Sequence, residues 1–336
     1  MPIVSDRNYG QILTASVARR SRDVQNIVYN STPLTRILRD QNRIKMKTAG
    51  GPELRVPIMF DKLDAQWFTG YDKLQITPKE LLNSAVFNWS RCVGMFSLTG
   101  TELLYNSGED EVIDLMETYM DAAEQSVKEA FEEGIVGDGT ADGGRQMIGW
   151  GAAIPTVTNT GVYGGIDRAT VPNWRTSTFD IPAGDVSGFT TFDSTTARQI
   201  IERITLQRSR GGRYPDLIIA DAKSYEVISS AFVAHQRLAS ERLARLGFQG
   251  MSIVTGAGIV DVVAAGGIGN VMPENTFFGI DTKGMSIYTF PGQEFVPFHP
   301  GNGMRPINQD AVAQGVVWTG QLVLENPLFT YRAITA

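Results

Sequence analysis

The chain has 336 residues, 42% of them hydrophobic and 20% charged, with a formal net charge of −6, which fits one large or two medium folded domains with a substantial core. That charge argues against a general nucleic-acid binder, whose affinity would come from phosphate neutralisation by Lys and Arg. A single cysteine, Cys92, leaves no intrachain disulfide framework; no run approaches the ~20 apolar residues of a membrane helix, and the first residues lack the apolar core of a secretory signal.

Residues 1–50 carry nine Lys or Arg against three Asp. A helix is expected from Ser21 to about Asn30, and a second one restarts at Ser31-Thr32-Pro33 and runs through Arg43. Apolar positions are thin, so this segment reads as an arm that leans on something else, and its removal is expected to leave the core folded. Two strands with partial alternation follow, at Leu54–Phe60 and Val86–Met95. Between them Trp67, Phe68, Gly70 and Tyr71 are too irregular for a helix and the connection is too long for a tight hairpin. Such an excursion is marginal in water unless it lies on another surface.

Gly108 to Glu133 is the clearest helix. Val112, Leu115, Met116, Tyr119, Ala123, Val127, Ala130 and Phe131 make one apolar stripe, while ten acidic residues against Lys128 are assigned to the other face. Mutual neutralisation between this acidic helix and the basic arm, within or between subunits, is expected. Farther on, Thr195–Arg210 reads as a helix with Ile200, Ile201, Ile204 and Leu206 on its buried side. Tyr214–Ala220 reads as a buried strand, and Asp221 caps a helix through about Ser230. Helix–strand–helix order implies an α/β layer. Further strands are expected at Ile259–Ala265, Thr276–Asp281, Ser286–Phe290 and Gly315–Leu324.

The search for chemistry is negative. His235 and His299 are the two histidines, and each reads as a surface or packing residue. Cys92 lies in a hydrophobic strand without a neighbouring base. Gly137–Gly144 matches neither an EF-hand nor a P-loop, and Gly256–Gly258 and Gly266–Gly269 lack the dinucleotide fingerprint. No catalytic, cofactor-binding or metal-ligating residue is assigned, and a chain of this size without them reads as a building block.

The most informative segment is Val162–Arg175, Val-Tyr-Gly-Gly-Ile-Asp-Arg-Ala-Thr-Val-Pro-Asn-Trp-Arg. Gly164 and Gly165 permit a sharp turn, Pro172 sets φ and keeps Val171 extended, and Trp174 needs a large apolar seat. Asp167 and Arg168 are read as a local or inter-subunit pair. The segment resembles the motif Tyr163-Gly164-Gly165-Ile166-Asp167-Arg168…Pro172-x-Trp174-Arg175 of major capsid proteins of tailed double-stranded DNA bacteriophages, and weaker likeness runs through most of the chain.

The resemblance implies an α+β, Hong Kong 97-like capsid fold. Its parts are an N-terminal arm (1–50), an extended loop (51–100), a peripheral domain (101–189 and 301–336) with a spine helix at about 108–133, and an axial domain (190–300). It also implies a coat protein that self-assembles, as hexamers and pentamers, into an icosahedral shell around packaged DNA. Such a container can be acidic, because its lining need not grip its contents. Further implications are a virion location after assembly in a bacterial cytoplasm, a portal, a separate scaffolding protein or none, and neither membrane nor cofactor. Arms and loops without cores of their own need neighbours, which makes Arg19, Arg20, Arg22, Trp67, Phe68, Tyr71, Glu117, Asp121 and Glu124 the candidate subunit interface. Two other readings stay open at this level: an encapsulin-like bacterial compartment shell and an α/β nucleotide-binding or hydrolytic enzyme.

Overall fold

The computed structural model describes residues 25, 28, 33–47, 51–59, 65–73, 82–101, 109–232, 238–239, 250–265, 272–298 and 310–336. Its longer helices are α1 (Pro33–Asp40), α2 (Glu109–Val136), α3 (Ala197–Gln207) and α4 (Ala222–Ala231). Its strands in chain order begin with β1 (Ile44–Met46), β2 (Glu53–Met59), β3 (Leu82–Asn88), β4 (Ser90–Thr99), β5 (Val162–Tyr163), β6 (Ile166–Asp167) and β7 (Ser177–Asp180). They continue with β8 (Leu217–Ala220), β9 (Leu238–Ala239), β10 (Met251–Thr255), β11 (Gly258–Ala264), β12 (Thr276–Ile280), β13 (Met285–Pro297), β14 (Ala311–Leu324) and β15 (Tyr331–Ile334). A four-stranded sheet has the order β1-β13-β14-β4 and a seven-stranded sheet the order β7-β15-β12-β8-β11-β10-β9, with β2-β3 and β5-β6 as separate ribbons.

The apolar stripe of α2 lies on the four-stranded sheet. Met120, Ala123, Val127, Phe131 and Ile135 are buried, and the ring of Phe131 meets Trp318 of β14 edge-on, with centroids 4.9 Å apart. The helix comes down onto β4 at Gly94, where a Cβ would stand 2.6 Å from the Ala123 carbonyl oxygen and 2.5 Å from a Val127 methyl. Only glycine allows that approach. Glu124, assigned from sequence to the polar face, is buried. It adjoins Ala123 on the inner side of the helix, so the charged face is narrower than the sequence suggests.

The four apolar residues of β8 are all buried because both faces of the seven-stranded sheet are covered. Leu217 and Ile219 join the core shared with α2 and the four-stranded sheet, whereas Ile218 and Ala220 face a second cluster built from α3 and α4. The Asp221 side chain caps α4, accepting from the Lys223 and Ser224 backbone amides as the sequence indicates. Leu206, assigned to the buried side of α3, is instead exposed, because it lies off the stripe of Ala197, Ile200, Ile201, Ile204 and Thr205 that the helix buries.

Three expectations for the first hundred residues need correction. Residues 33–47 are part of the core: Leu34, Ile37 and Leu38 are buried, and β1 pairs in parallel with β13. Helix α1 stops at Asp40 rather than Arg43, because Asn42 takes a positive φ of 55° and the Arg43 amide turns back to the Leu38 carbonyl at 2.7 Å. The single strand expected over Val86–Met95 is two strands divided at Trp89. Before the break β3 pairs with β2; after it β4 pairs with β14. Residues 53–59 and 82–88 are therefore a two-stranded ribbon, and 90–99 an integral sheet strand. Short strands up to Asp180 are expected from sequence, and β7 is one of them, but β1, β10 and β15 are not, since three to five residues present too little periodicity.

Candidate assembly surface

The Gly164-Gly165 pair closes the β5–β6 ribbon. Their φ values of 60° and 75° are those of a two-residue turn with both central residues left-handed, which glycine adopts without strain. Tyr163 enters this turn buried. Its ring meets Phe87 of β3 edge-on at 5.1 Å and lies against Trp174 at 5.8 Å, and its hydroxyl accepts from the Leu324 amide at 3.0 Å. Burial pushes this phenol up to about 12, although the Leu324 amide and the Arg168 charge pull the other way. The hydroxyl is therefore neutral throughout the physiological range.

Arg168 and Asp167 are not a pair. Arg168 points inward, donating to the carbonyls of Ala152 and Ala153 at 2.8 and 2.9 Å with its guanidinium over the Tyr163 ring. Asp167 points outward and accepts from the Ala169 amide at 2.8 Å. Neighbours in a strand face opposite sides, and the ribbon uses one for the core and the other for its own turn. Trp174 fills the expected apolar seat and donates from its indole nitrogen to the Tyr163 carbonyl at 2.9 Å. Arg175 closes the segment on the carbonyls of Arg168 and Ala169.

This segment is a mount for the β2–β3 ribbon. The Val86 amide donates to the Gly164 carbonyl at 2.9 Å, and a Cβ on Gly164 would meet Phe87 at 2.7 Å and Ala85 at 2.9 Å. The inward residues Leu54, Val56, Ile58, Ala85 and Phe87 are buried, so the base of the ribbon is held rigidly. Its connection carries the opposite character. Trp67 and Tyr71 are as exposed as in an open chain, at 102% and 105%, and Phe68 is exposed as well. Each such ring can bury about 150–250 Å², which at about 25 cal/mol per Å² amounts to roughly 4–6 kcal/mol before association costs.

Among the other interface candidates, Asp121 faces outward and Glu124 faces the protomer's own core. Arg19, Arg20 and Arg22, and the side chain of Glu117, lie outside the described residues, as do His235 and His299. Of the arm's cations, Arg43 and Lys45 pair with Glu325 rather than with the acidic helix, while Arg7, Arg19, Arg20 and Arg22 lie outside the described residues. Cys92 is half-buried, and burial, with Asp142 adding to it, raises its thiol. Among the described residues no His, Cys, Asp or Glu cluster could hold a metal ion, and no helix is long and apolar enough to cross a membrane.

Sequence reasoning missed one polar centre. Glu325, just after β14, takes Lys45 at 2.7 Å and Arg43 at 2.8 Å, and the Tyr288 hydroxyl donates to it at 2.8 Å. Burial works to raise this carboxyl, but the Lys45 and Tyr288 hydrogen bonds and the Arg43 charge outweigh it and hold it at about 2. Burial first, then the hydrogen bond to Glu325 and its charge, raise the Tyr288 phenol. Partners some 280 residues apart in the chain leave no local signal.

Neither a family model nor a curated protein matches the sequence. Solved structures do. The capsid asymmetric unit of cyanophage A-1(L) superposes with a TM-score of 0.62 at 16% identity, over 88% of this chain and 90% of that one. This is the Hong Kong 97-like capsid fold. Mycobacterium phage Bobi gives a TM-score of 0.53 at 10% identity over 88% and 89% of the two chains. The capsid of Myoviridae phage XM1 gives 0.51 at 11% over 89% and 92%.

Proposed function

We propose that this chain is the major capsid protein of a tailed double-stranded DNA bacteriophage, a coat subunit that assembles with copies of itself into an icosahedral shell enclosing DNA. The observation that carries the reading is the ribbon: a rigid base seated on the 162–175 mount and a connection whose aromatic residues find no cover in their own protomer. A monomer gains nothing from holding Trp67, Phe68 and Tyr71 in water, whereas a shell subunit gains an anchor. The match of the fold to solved phage capsid subunits along nearly the whole chain supports it.

In this reading residues 51–88 form the extended loop, and 90–99 belong with the peripheral domain of α2 and the four-stranded sheet. The axial domain takes in β7 and β15 besides residues 190–284. Hexamers and pentamers, a portal, a separate scaffolding protein, assembly in a bacterial cytoplasm and a final place in the virion belong to the same reading. DNA is held by enclosure, consistent with the net charge of −6, and no catalytic step is assigned. Negative-stain electron microscopy of the purified full chain, alone and with a co-expressed scaffolding partner, tests it. Closed shells are expected; a non-assembling monomer under every condition overturns it.

A further inference from the structure

A cleft of about 600 Å³ opens beneath the base of the ribbon, between Ile58, Trp174 and the loop after β14. Three cations line it, Arg210, Arg213 and Lys283, against one carboxylate, Glu325. That carboxylate is already held by Arg43 and Lys45. Arg213 is answered from behind by Asp281 at 2.5 Å. Arg210 and Lys283 are both exposed, and among the described residues neither forms an ion pair. The Arg210-Gly211-Gly212-Arg213 turn, with φ of 60° and 79° at its glycines, holds the two arginines side by side through paired backbone hydrogen bonds. An acidic chain thus keeps two unmatched positive charges at the mouth of a cleft.

The complementary charge lies in the same chain but out of its own reach. Residues 109–117, the start of α2, contain Glu109, Asp110, Glu111, Asp114 and Glu117 and no cation. Helix α2 touches β4 at Gly94 through Ala123, where Gly94 pairs with Val316 of β14. Toward its C-terminus it approaches Gly149 with the Gly134 and Ile135 carbonyls, next to the Ile148 carbonyl that accepts from Gln321. The helix and β14 therefore run in the same direction. From Ala123 back to Glu109 the helix extends about 21 Å one way, and from Val316 to Leu324 the strand extends about 26 Å the other way, to the cleft.

We infer that the basic cleft of one protomer receives the acidic start of α2 from a second copy. The contact joins two different patches of the surface, so it can repeat head-to-tail from copy to copy around a ring. Exposed charges of this kind set register and partner orientation, and their effect fades with salt. The inference rests on the shell reading only in requiring that copies meet.

The test uses the full chain and its charge reversals. Arg210→Glu/Lys283→Glu is expected to keep the monomer's thermal midpoint. In sedimentation velocity it should raise the concentration needed for association on the order of tenfold at low salt, with a smaller difference in high salt. Adding Glu111→Lys/Glu117→Lys to that variant is expected to recover most of the loss. Association like the unaltered chain's in the first variant, or no recovery in the combined one, overturns the inference and leaves the shell reading standing. If the unaltered chain alone does not associate, a fluorescein-labelled peptide of residues 106–120 decides the cleft by itself. Binding that weakens with salt and is lost on Arg210→Glu/Lys283→Glu supports the inference; no binding overturns it.

Discussion

The Leu324 backbone amide donates to the hydroxyl of Tyr163, 161 residues earlier in the chain, at 3.0 Å in a fully buried setting. This bond joins the end of the central strand β14 to the turn that carries the β2–β3 ribbon. Tyr163→Phe leaves the Leu324 amide buried and unsatisfied, a loss of about 1–3 kcal/mol. Thermal unfolding of the purified chain is expected to show a midpoint several degrees lower; an unchanged midpoint would mean the amide finds another acceptor.

The two glycines of the ribbon turn are not equivalent. Both have positive φ, so either Gly→Ala substitution carries the left-handed backbone cost of about 1 kcal/mol. At Gly165 a Cβ meets nothing closer than Val86 at 4.0 Å, but at Gly164 it collides with Phe87 and Ala85. Gly164→Ala should therefore cost clearly more than Gly165→Ala and speed hydrogen exchange at the Val86 amide, which is bonded to the Gly164 carbonyl.

Trp67 and Tyr71 are fully exposed and Phe68 is mostly so, at 63%. Replacing all three by Ser is expected to move the thermal midpoint of the monomer by no more than the ±0.5 kcal/mol typical of surface changes. Shell yield by electron microscopy should be abolished or sharply reduced. Shells formed in normal amounts by this variant would place the anchor elsewhere.

Glu325 makes the fold acid-sensitive. Its folded-state value of about 2 lies below the ordinary 4.5, so its contribution is fully present above pH 4.5 and is lost as pH falls toward 2. Glu325→Gln removes that part of the dependence. Denaturant midpoints measured from pH 5 to pH 2 should fall more steeply for the unaltered chain than for the variant.

Deleting residues 1–50 tests the corrected boundary of the arm. The sequence suggests that the remainder would fold, but Leu34, Ile37 and Leu38 are buried and β1 covers one edge of the four-stranded sheet. Each lost apolar residue of this kind costs about 2–5 kcal/mol, against a total stability of about 5–15 kcal/mol. Far-UV circular dichroism of the truncated chain is expected to show a largely unfolded or insoluble product.

What the sequence determined by itself was whatever local chemistry enforces. The stripe from Tyr119 to Phe131 had to make a helix, Leu217–Ala220 had to be buried on both faces, Asp221 had to cap, and Gly164-Gly165 had to turn. The fold class followed from the 162–175 motif. Only the tertiary structure decided where those pieces meet: that Glu124 turns inward beside Ala123, that Arg168 leaves Asp167 to cover Tyr163, and that residues 33–47 join the core. It also decided that Glu325 gathers Arg43, Lys45 and Tyr288. The reason is range. Turns, caps and periodicity are settled within a few residues, whereas a carboxylate's partners some 280 positions away depend on how two sheets stack, which local residue patterns do not encode.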